Sequence, residues 1–258
     1  MTLDITTINK VYLVCTDIDC GYHVLEAHFD KNLAEERLQY FQLFNNTHFI
    51  EEVIIGELNH LQYLGKKSLY IVPFGSGVYG TNDSFSDLDF YVINNDTTLV
   101  DAVKDKNSNI EYKFIKVDDF QNALNNQDIQ AIEVYFCSNY LAKGNIHDLQ
   151  RRFNYTVDKQ KIRRVFSQKS SNSWVKCKKK LTVEIGQERI ALKSLFHSFR
   201  ILYFGIQLCT HGKIIDYTEA NFIYDEIKNI GGDWEKLESY FKPLYNSLST
   251  EFKKVAPK

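Results

Sequence analysis

The segment FGSGVYGTNDSFSDLDFYVI, residues 74–93, places a glycine–serine turn ahead of a strand that carries two aspartates. Side chains alternate between the two faces of a strand, so we expect Asp87 and Asp89 on one face and Leu88 and Phe90 on the other. Two neighbouring carboxylates repel each other and are not buried without a partner. The pair therefore indicates either a solvent-exposed strand edge or a site for divalent metal ions.

The composition is that of a globular protein of one large or two modest domains: 258 residues, 44% hydrophobic, with a formal net charge of -2. No apolar run approaches the roughly eighteen residues of a membrane helix, and the N-terminal MTLDITTINK lacks the apolar core of a signal peptide. We therefore expect a cytoplasmic protein with no membrane partner. The five cysteines have no CxxC spacing and are expected to be reduced thiols rather than zinc ligands: Cys15, Cys20, Cys137, Cys177 and Cys209.

Positive charge is concentrated in residues 151–200, which contain fourteen Lys or Arg and three acidic residues. The other residues contain seventeen basic and thirty acidic side chains, so the excess is local. Such a segment suits a polyanion such as nucleic acid, but it also suits a solvated helix face that offsets an acidic remainder. Aromatic residues between the charges are candidates for base stacking or for the core: Phe153, Tyr155, Phe166 and Trp174.

The N-terminal residues 1–56 are predicted to form an accessory ββαβ module. Two strand-like runs, residues 10–18 and 22–30, flank a turn with glycine, and Asn32 is a candidate cap for a following helix. Residues 49–55 are expected to form a returning strand. We recognise no catalytic group in this module.

The middle of the chain alternates between strand and helix patterns. A helix over residues 56–67 is followed by strands over 68–74, 87–93 and 110–117, a helix over 118–126 and a strand over 129–137. Glu111 shares a strand face with Lys113 and Ile115.

The turn and the acids together predict a site for phosphoryl transfer. In the turn, backbone N–H groups and the Ser76 hydroxyl are able to face an anion, and Gly75, Gly77 and Gly80 permit its close approach. Three acids on adjacent strands beside such a turn are typical of a two-metal site, in which the ions activate the attacking hydroxyl and stabilise the leaving pyrophosphate.

Five motifs together resemble the DNA polymerase β-type nucleotidyltransferase superfamily, and in particular its predicted-nucleotidyltransferase branch. They are GSGVYG, DLD, IEYKFIKVDDF, IEVYF and ALKSLFHSFRIL followed by GKIID, and they cover roughly residues 60–230. The third acid is Glu111, where the branch has aspartate. The resemblance implies an α+β fold with a small mixed-sheet nucleotidyltransferase core over residues 57–145 and a basic helical region over residues 146–258.

By that resemblance Asp87, Asp89 and Glu111 are the catalytic residues and hold Mg²⁺ or Mn²⁺. Glu133 is the alternative third acid, although it is equally suited to an ion pair with the basic helix. The resemblance assigns the nucleotide to a further set of residues: Gly75, Ser76, Tyr79, Gly80, Lys193, His197 and Arg200.

Lys193, His197 and Arg200 fall at positions i, i+4 and i+7, on one face of a predicted helix. Such a stripe is able to hold a triphosphate, but a solvated stripe with a core histidine fits the same pattern. After Gly212 the sequence predicts a strand over residues 213–218 and then an amphipathic helix.

The reaction implied is the transfer of a nucleoside monophosphate from an NTP to a hydroxyl acceptor, with release of pyrophosphate. RNA bound by residues 151–200 is the favoured acceptor. Two alternatives remain at this point: a catalytically silent member that binds nucleic acid, and a transferase that modifies a protein or a small molecule.

Overall fold

The computed structural model describes residues 10–18, 21–28, 48–54, 68–82, 86–95, 102–105, 110–137, 146–184 and 186–257. The chain divides into two compact units. The sheet unit comprises residues 1–123 and 133–154, and the helical unit comprises residues 124–132 and 155–258. The boundaries expected from the sequence, after residues 56 and 145, stay predictions.

An N-terminal antiparallel sheet contains strands β1 (Lys10–Ile18), β2 (Gly21–His28) and β3 (His48–Ile54) in the order β2-β1-β3. All three predicted strands of the module are thus confirmed. The predicted helix that follows Asn32 lies outside the described residues, as does the one over residues 56–67.

A second, four-stranded sheet contains β4 (Ser68–Phe74), β5 (Leu88–Asn94), β6 (Ala102–Asp105) and β7 (Ile110–Lys116). Its order is β4-β5-β7-β6, in which β5 and β7 are parallel and the other neighbours are antiparallel. The sheet is therefore mixed, as the sequence predicts. The short edge strand β6 is not among the predicted strands.

Within the described residues, four short helices accompany this sheet: α1 (Ser76–Tyr79), α2 (Val117–Asn125), α3 (Ile129–Phe136) and α4 (Ile146–Arg152). Helix α2 confirms the helix predicted over residues 118–126. Helix α1 directly follows β4 at the glycine–serine turn and ends at Gly80, whose φ is 71°. It lies next to strand β2 within the sheet unit.

The prediction of a strand over residues 129–137 is wrong, because these residues form helix α3. The segment is an almost continuous apolar run, and such a run does not separate a buried helix from a buried strand by its periodicity. The signal missed is Asp128, whose carboxylate accepts a hydrogen bond of 3.1 Å from the Ala131 amide, as an N-cap residue does.

The two faces of the mixed sheet differ. On one face Leu88 packs against a cluster of buried residues: Ile71, Phe90, Val92, Ile110, Tyr112 and Phe114. On the other, the Tyr91 ring lies 5.9 Å from the ring of Phe120 in α2, and Phe120 lies 4.8 Å from Phe153. The expected alternation is confirmed, since Leu88 and Phe90 share the first face and the intervening Asp89 belongs to the second.

The helical unit contains α5 (Lys159–Thr182), α6 (Glu188–His211), α7 (Asn221–Ile230) and α8 (Trp234–Val255). Asp158 and Asp233 begin α5 and α8 by accepting hydrogen bonds from the amides of Lys161 and Lys236. Helix α6 contacts the other three helices and is the most buried. Together the sheets and these helices give the expected α+β fold with a C-terminal helical region.

Helices α6 and α8 approach each other closely at Gly205. A Cβ atom added to Gly205 would lie 2.6 Å from Cε2 of Phe252, so only a glycine fits at this contact. Phe252 is fully buried.

The prediction of a strand over residues 213–218 is also wrong. The buried side chain of Gln207 in α6 accepts hydrogen bonds of 2.7 and 3.0 Å from the amides of Ile215 and Asp216, and donates one of 2.8 Å to the Asp216 carbonyl. One side chain thus makes the bonds that a partner strand would otherwise make, and the segment stays irregular.

The described cysteine side chains agree with the expected reduced thiols. Cys137, Cys177 and Cys209 are free and buried. Burial raises the pKa of the Cys177 thiol to about 12. Among the described residues, no helix is both long and apolar enough to cross a membrane.

Candidate functional site

The carboxylate of Asp89 lies against the backbone of Gly75. A Cβ atom added to Gly75 would lie 2.3 Å from Oδ2 of Asp89, which no real contact permits. Gly75 also has φ 81° and ψ -155°, a backbone conformation that is essentially restricted to glycine. The turn therefore requires glycine at this position for two independent reasons, and the first of them places the turn beside an acid.

Asp89 lies at the centre of a row across three strands. It pairs in register with Phe74, the residue before Gly75, and on its other side with Glu111. Residues paired in register project to the same face, so the Asp89 and Glu111 side chains are neighbours. Asp87 precedes β5 by one residue and is part-buried, as are the other two acids. The expected convergence of Asp89 and Glu111 from adjacent strands is thus present.

A basic residue lies one step further along the same face. Lys113 follows Glu111 by two residues, and its Nζ lies 5.3 Å from the centre of the Tyr91 ring. The face on which the acids lie therefore also carries a positive charge, which offsets part of their mutual repulsion.

The turn is also tied to helix α3. The hydroxyl of Tyr79 donates a hydrogen bond to the Glu133 carboxylate, and both side chains are at most 3% exposed. Next to it the thiol of Cys137 contacts the Pro73 carbonyl, with Sγ 3.5 Å from the oxygen. Glu133, the alternative third acid, is thereby engaged by the last residue of α1. Its role as a metal ligand stays a prediction.

The donor atoms of this site suit a hard divalent ion. Carboxylate oxygens are what Mg²⁺ prefers, and it is usually held by one or two carboxylates together with substrate phosphates. Over the described part of the chain, no three His, Cys, Asp or Glu side chains are gathered closely enough to hold one ion. The neighbouring pair Asp89 and Glu111 fits the arrangement in which one or two carboxylates hold Mg²⁺ together with substrate phosphates.

Sequence reasoning did not anticipate the link between Tyr79 and Glu133. The two residues are 54 positions apart, and no local pattern encodes such a pairing. The available signal was a buried acid within an apolar run, since a buried carboxylate needs a partner.

In the helical unit, Lys193, His197 and Arg200 all lie on α6. Arg200 is 6% exposed, and its Nε donates a hydrogen bond of 3.3 Å to Nδ1 of His197. The guanidinium also lies 5.1 Å from the centre of the Phe204 ring. The structure therefore brings His197 and Arg200 together, as the helical spacing predicts.

The His197 imidazole is neutral at physiological pH. Burial lowers its pKa well below 6.5, and the positive charges of Arg200, Lys193 and Lys176 lower it further. A neutral ring accepts the Arg200 hydrogen bond through Nδ1. The positive charge of this group belongs to the lysines and the arginine.

No protein-family model matches the chain, and no curated protein matches it. Among solved structures, it is similar to a nucleotidyltransferase-like protein from Exiguobacterium sibiricum 255-15. The TM-score is 0.31 and the sequence identity 12%, over 77% of this chain and 72% of that one. A similarity of this size does not establish a shared family.

Proposed function

We propose that this protein is a divalent-metal-dependent nucleotidyltransferase. It transfers a nucleoside monophosphate from an NTP to a hydroxyl acceptor: the acceptor oxygen bonds to the α-phosphorus, and pyrophosphate leaves. The observation that carries the proposal is the row formed by Asp89 and Glu111 beside a turn that must be glycine at residue 75.

In this proposal Asp87, Asp89 and Glu111 share two ions, Mg²⁺ or Mn²⁺, with the substrate phosphates, so that no single ion needs all three acids. The ions supply positive charge that lowers the pKa of the attacking hydroxyl and neutralises the leaving oxygens. The sheet contributes orientation, because Asp89 lies on a central strand with a hydrogen-bonded neighbour on each side. Fixed carboxylates are what such a transfer requires, since positioning supplies much of its catalysis.

The turn is assigned to the phosphates of the nucleotide. A Cβ atom added to Gly77 would meet no atom of the described residues within 4 Å, so the backbone there is open toward them. Ser76, the residue before it, supplies a hydroxyl to the same turn. Tyr79 and Gly80 stabilise the turn rather than contact the phosphates. Tyr79 does so through its bond to Glu133, and Gly80 through the left-handed conformation that ends α1.

The acceptor is proposed to be RNA, bound by the basic residues of 151–200. Lys193 and Arg200 are proposed to contact phosphate, with His197 as the residue that orients Arg200. An NTP needs only a few cations, whereas the excess in this segment is eleven positive charges.

The test is incubation of the pure protein with each α-labelled NTP, Mg²⁺ or Mn²⁺, and total RNA. We expect label on RNA with at least one NTP and none in the presence of EDTA. The variant Asp89→Asn should lose transfer by at least a hundredfold. The matched control is Asp118→Asn, which makes the same change at an exposed residue of α2 and should transfer normally.

Transfer at the wild-type rate by a folded Asp87→Asn/Asp89→Asn variant would contradict the proposal. Label on protein or on a small hydroxyl compound, with none on RNA, would keep the chemistry and move the acceptor to the corresponding alternative class.

A second candidate, a nucleic-acid-binding protein without catalysis, is favoured by one observation. Helix α5 carries nine Lys or Arg and no Asp or Glu over its 24 residues. RNA binding without label transfer under any of these conditions would select this candidate.

A further inference from the structure

We propose that the exposed surface of helix α5 binds a nucleic-acid phosphate backbone, with contacts from Arg164, Lys169 and Lys176. The proposal names a location for the acceptor. It rests on the proposed function only for the acceptor role, because binding along α5 requires no catalysis.

The first support is the charge of the helix. Over its 24 residues α5 contains nine Lys or Arg and no Asp or Glu. At 1.5 Å per residue such a helix is roughly 36 Å long, enough to follow several phosphates. Acidic residues flank it only outside its ends, at Asp158 and Glu184.

The second support is the orientation of the helix within its unit. Its buried residues recur every three or four positions, on one side: Ile162, Phe166, Ser170, Trp174 and Cys177. The apolar side is therefore already covered. A helix that binds an anionic membrane inserts such a side between lipids, so its burial favours nucleic acid over a membrane.

Several of the basic residues have structural contacts. Arg163 donates hydrogen bonds of 3.1 and 2.7 Å to the carbonyls of Lys253 and Ala256, at the end of α8. Lys179 and Lys180 both pair with Glu184, at 2.6 and 3.0 Å. These three residues stabilise the unit and are poor choices for probing a ligand.

Arg164, Lys169 and Lys176 are different. All three are exposed, and among the described residues none of them has an ion-pair or hydrogen-bond partner. Gln168, Ser171 and Asn172 lie exposed between them and offer polar groups to phosphate and sugar oxygens. A basic side chain without an acidic partner binds a polyanion at the lowest cost in free energy, because no ion pair within the protein has to break first.

The experiment measures fluorescence anisotropy of labelled single-stranded RNA, hairpin RNA and duplex DNA over a KCl series, without NTP. The probe variant is Arg164→Gln/Lys169→Gln/Lys176→Gln. The control, Lys213→Gln/Lys253→Gln/Lys254→Gln, removes the same charge from exposed positions of the helical unit outside α5. The three ligands show whether single strands, structured RNA or duplex DNA supply the phosphates.

We expect the wild type to bind at low salt with a linear dependence of log Kd on log salt. The probe variant should lose about 2 units of this slope for single-stranded RNA, at ~0.7 per phosphate contact, and the control should lose much less. Because binding is measured without NTP, its outcome does not depend on transfer, which separates this proposal from the catalytic one. Equal slopes for probe and control would overturn it. So would absence of nucleic-acid binding at low salt, with or without binding to phosphatidylserine–phosphatidylcholine vesicles.

Discussion

Tyr79 and Glu133 form a buried hydrogen bond that joins the end of the glycine–serine turn to helix α3. One partner is the last residue of α1, and the other projects from a helix that begins 50 residues after α1 ends. This bond holds the last residue of α1, while Gly75 at the start of α1 lies against Asp89, so the bond bears on stability and on the site together.

The first prediction concerns that bond. Tyr79→Phe should lower the free energy of unfolding by about 1–3 kcal/mol, because a buried carboxylate loses a donor. Glu133→Gln should cost less, since the amide oxygen still accepts. Urea unfolding measures both. Tyr240→Phe makes the same change at a residue that is 55% exposed, and it should leave stability unchanged. Equal effects of Tyr79→Phe and Tyr240→Phe on the free energy of unfolding would show that the Tyr79–Glu133 bond does not stabilise the protein.

The second prediction uses two neighbouring glycines. Gly75→Ala should destabilise by at least about 1–3 kcal/mol, because φ 81° strains any side chain and the new methyl meets Asp89. Gly77→Ala should be neutral or stabilising, since its methyl meets no described atom within 4 Å and alanine favours a helix. Thermal unfolding compares the two. If the Asp89 contact matters, Gly75→Ala should cost less in an Asp89→Ala background; a loss of the same size in both backgrounds would leave φ as the sole cause.

The third prediction is a pH dependence from His197. Its pKa is depressed in the folded protein, so below pH 6.5 the unfolded chain binds a proton that the folded chain does not. Stability is therefore lost as the pH falls from 6.5, by up to about 1.4 kcal/mol per pH unit until the folded pKa is reached. His197→Gln keeps an acceptor for Arg200 and should flatten this part of the profile. Urea unfolding between pH 5 and 7 tests it, with the exposed His147→Gln as control. Parallel wild-type and His197→Gln profiles would contradict the assignment.

The strands could be predicted largely because they alternate. In β7 buried and part-buried residues alternate from Ile110 to Ile115, whereas in β5 the alternation is confined to Leu88, Asp89 and Phe90 and the rest is buried on both faces. These alternating positions predicted the faces of Asp89 and Glu111. Helix α3 could not be assigned from its pattern, because an apolar run has no period. The segment after Gly212 could not either, because its bonds come from Gln207, a residue in the preceding helix. Contacts made by single side chains across the fold leave no periodic trace.

The fourth prediction concerns the N-terminal module. A protein that begins at Glu57 should still bind NTP, because all the residues assigned to the nucleotide come later in the chain. Calorimetry with each NTP tests this, and circular dichroism checks that the shorter protein is folded. Since β2 lies next to α1, loss of binding by a folded truncation would mean that the module helps to shape the turn, and the boundary after residue 56 would be wrong.

The Gln207 side chain has a consequence for hydrogen exchange. Slow exchange of backbone amides with deuterium normally marks helices and strands, because their hydrogen bonds must open first. The amides of Ile215 and Asp216 belong to neither, yet both donate to a buried oxygen anchored on α6. These two amides should therefore exchange with the kinetics of α6 itself, so that an irregular loop carries the protection of the helix that holds it.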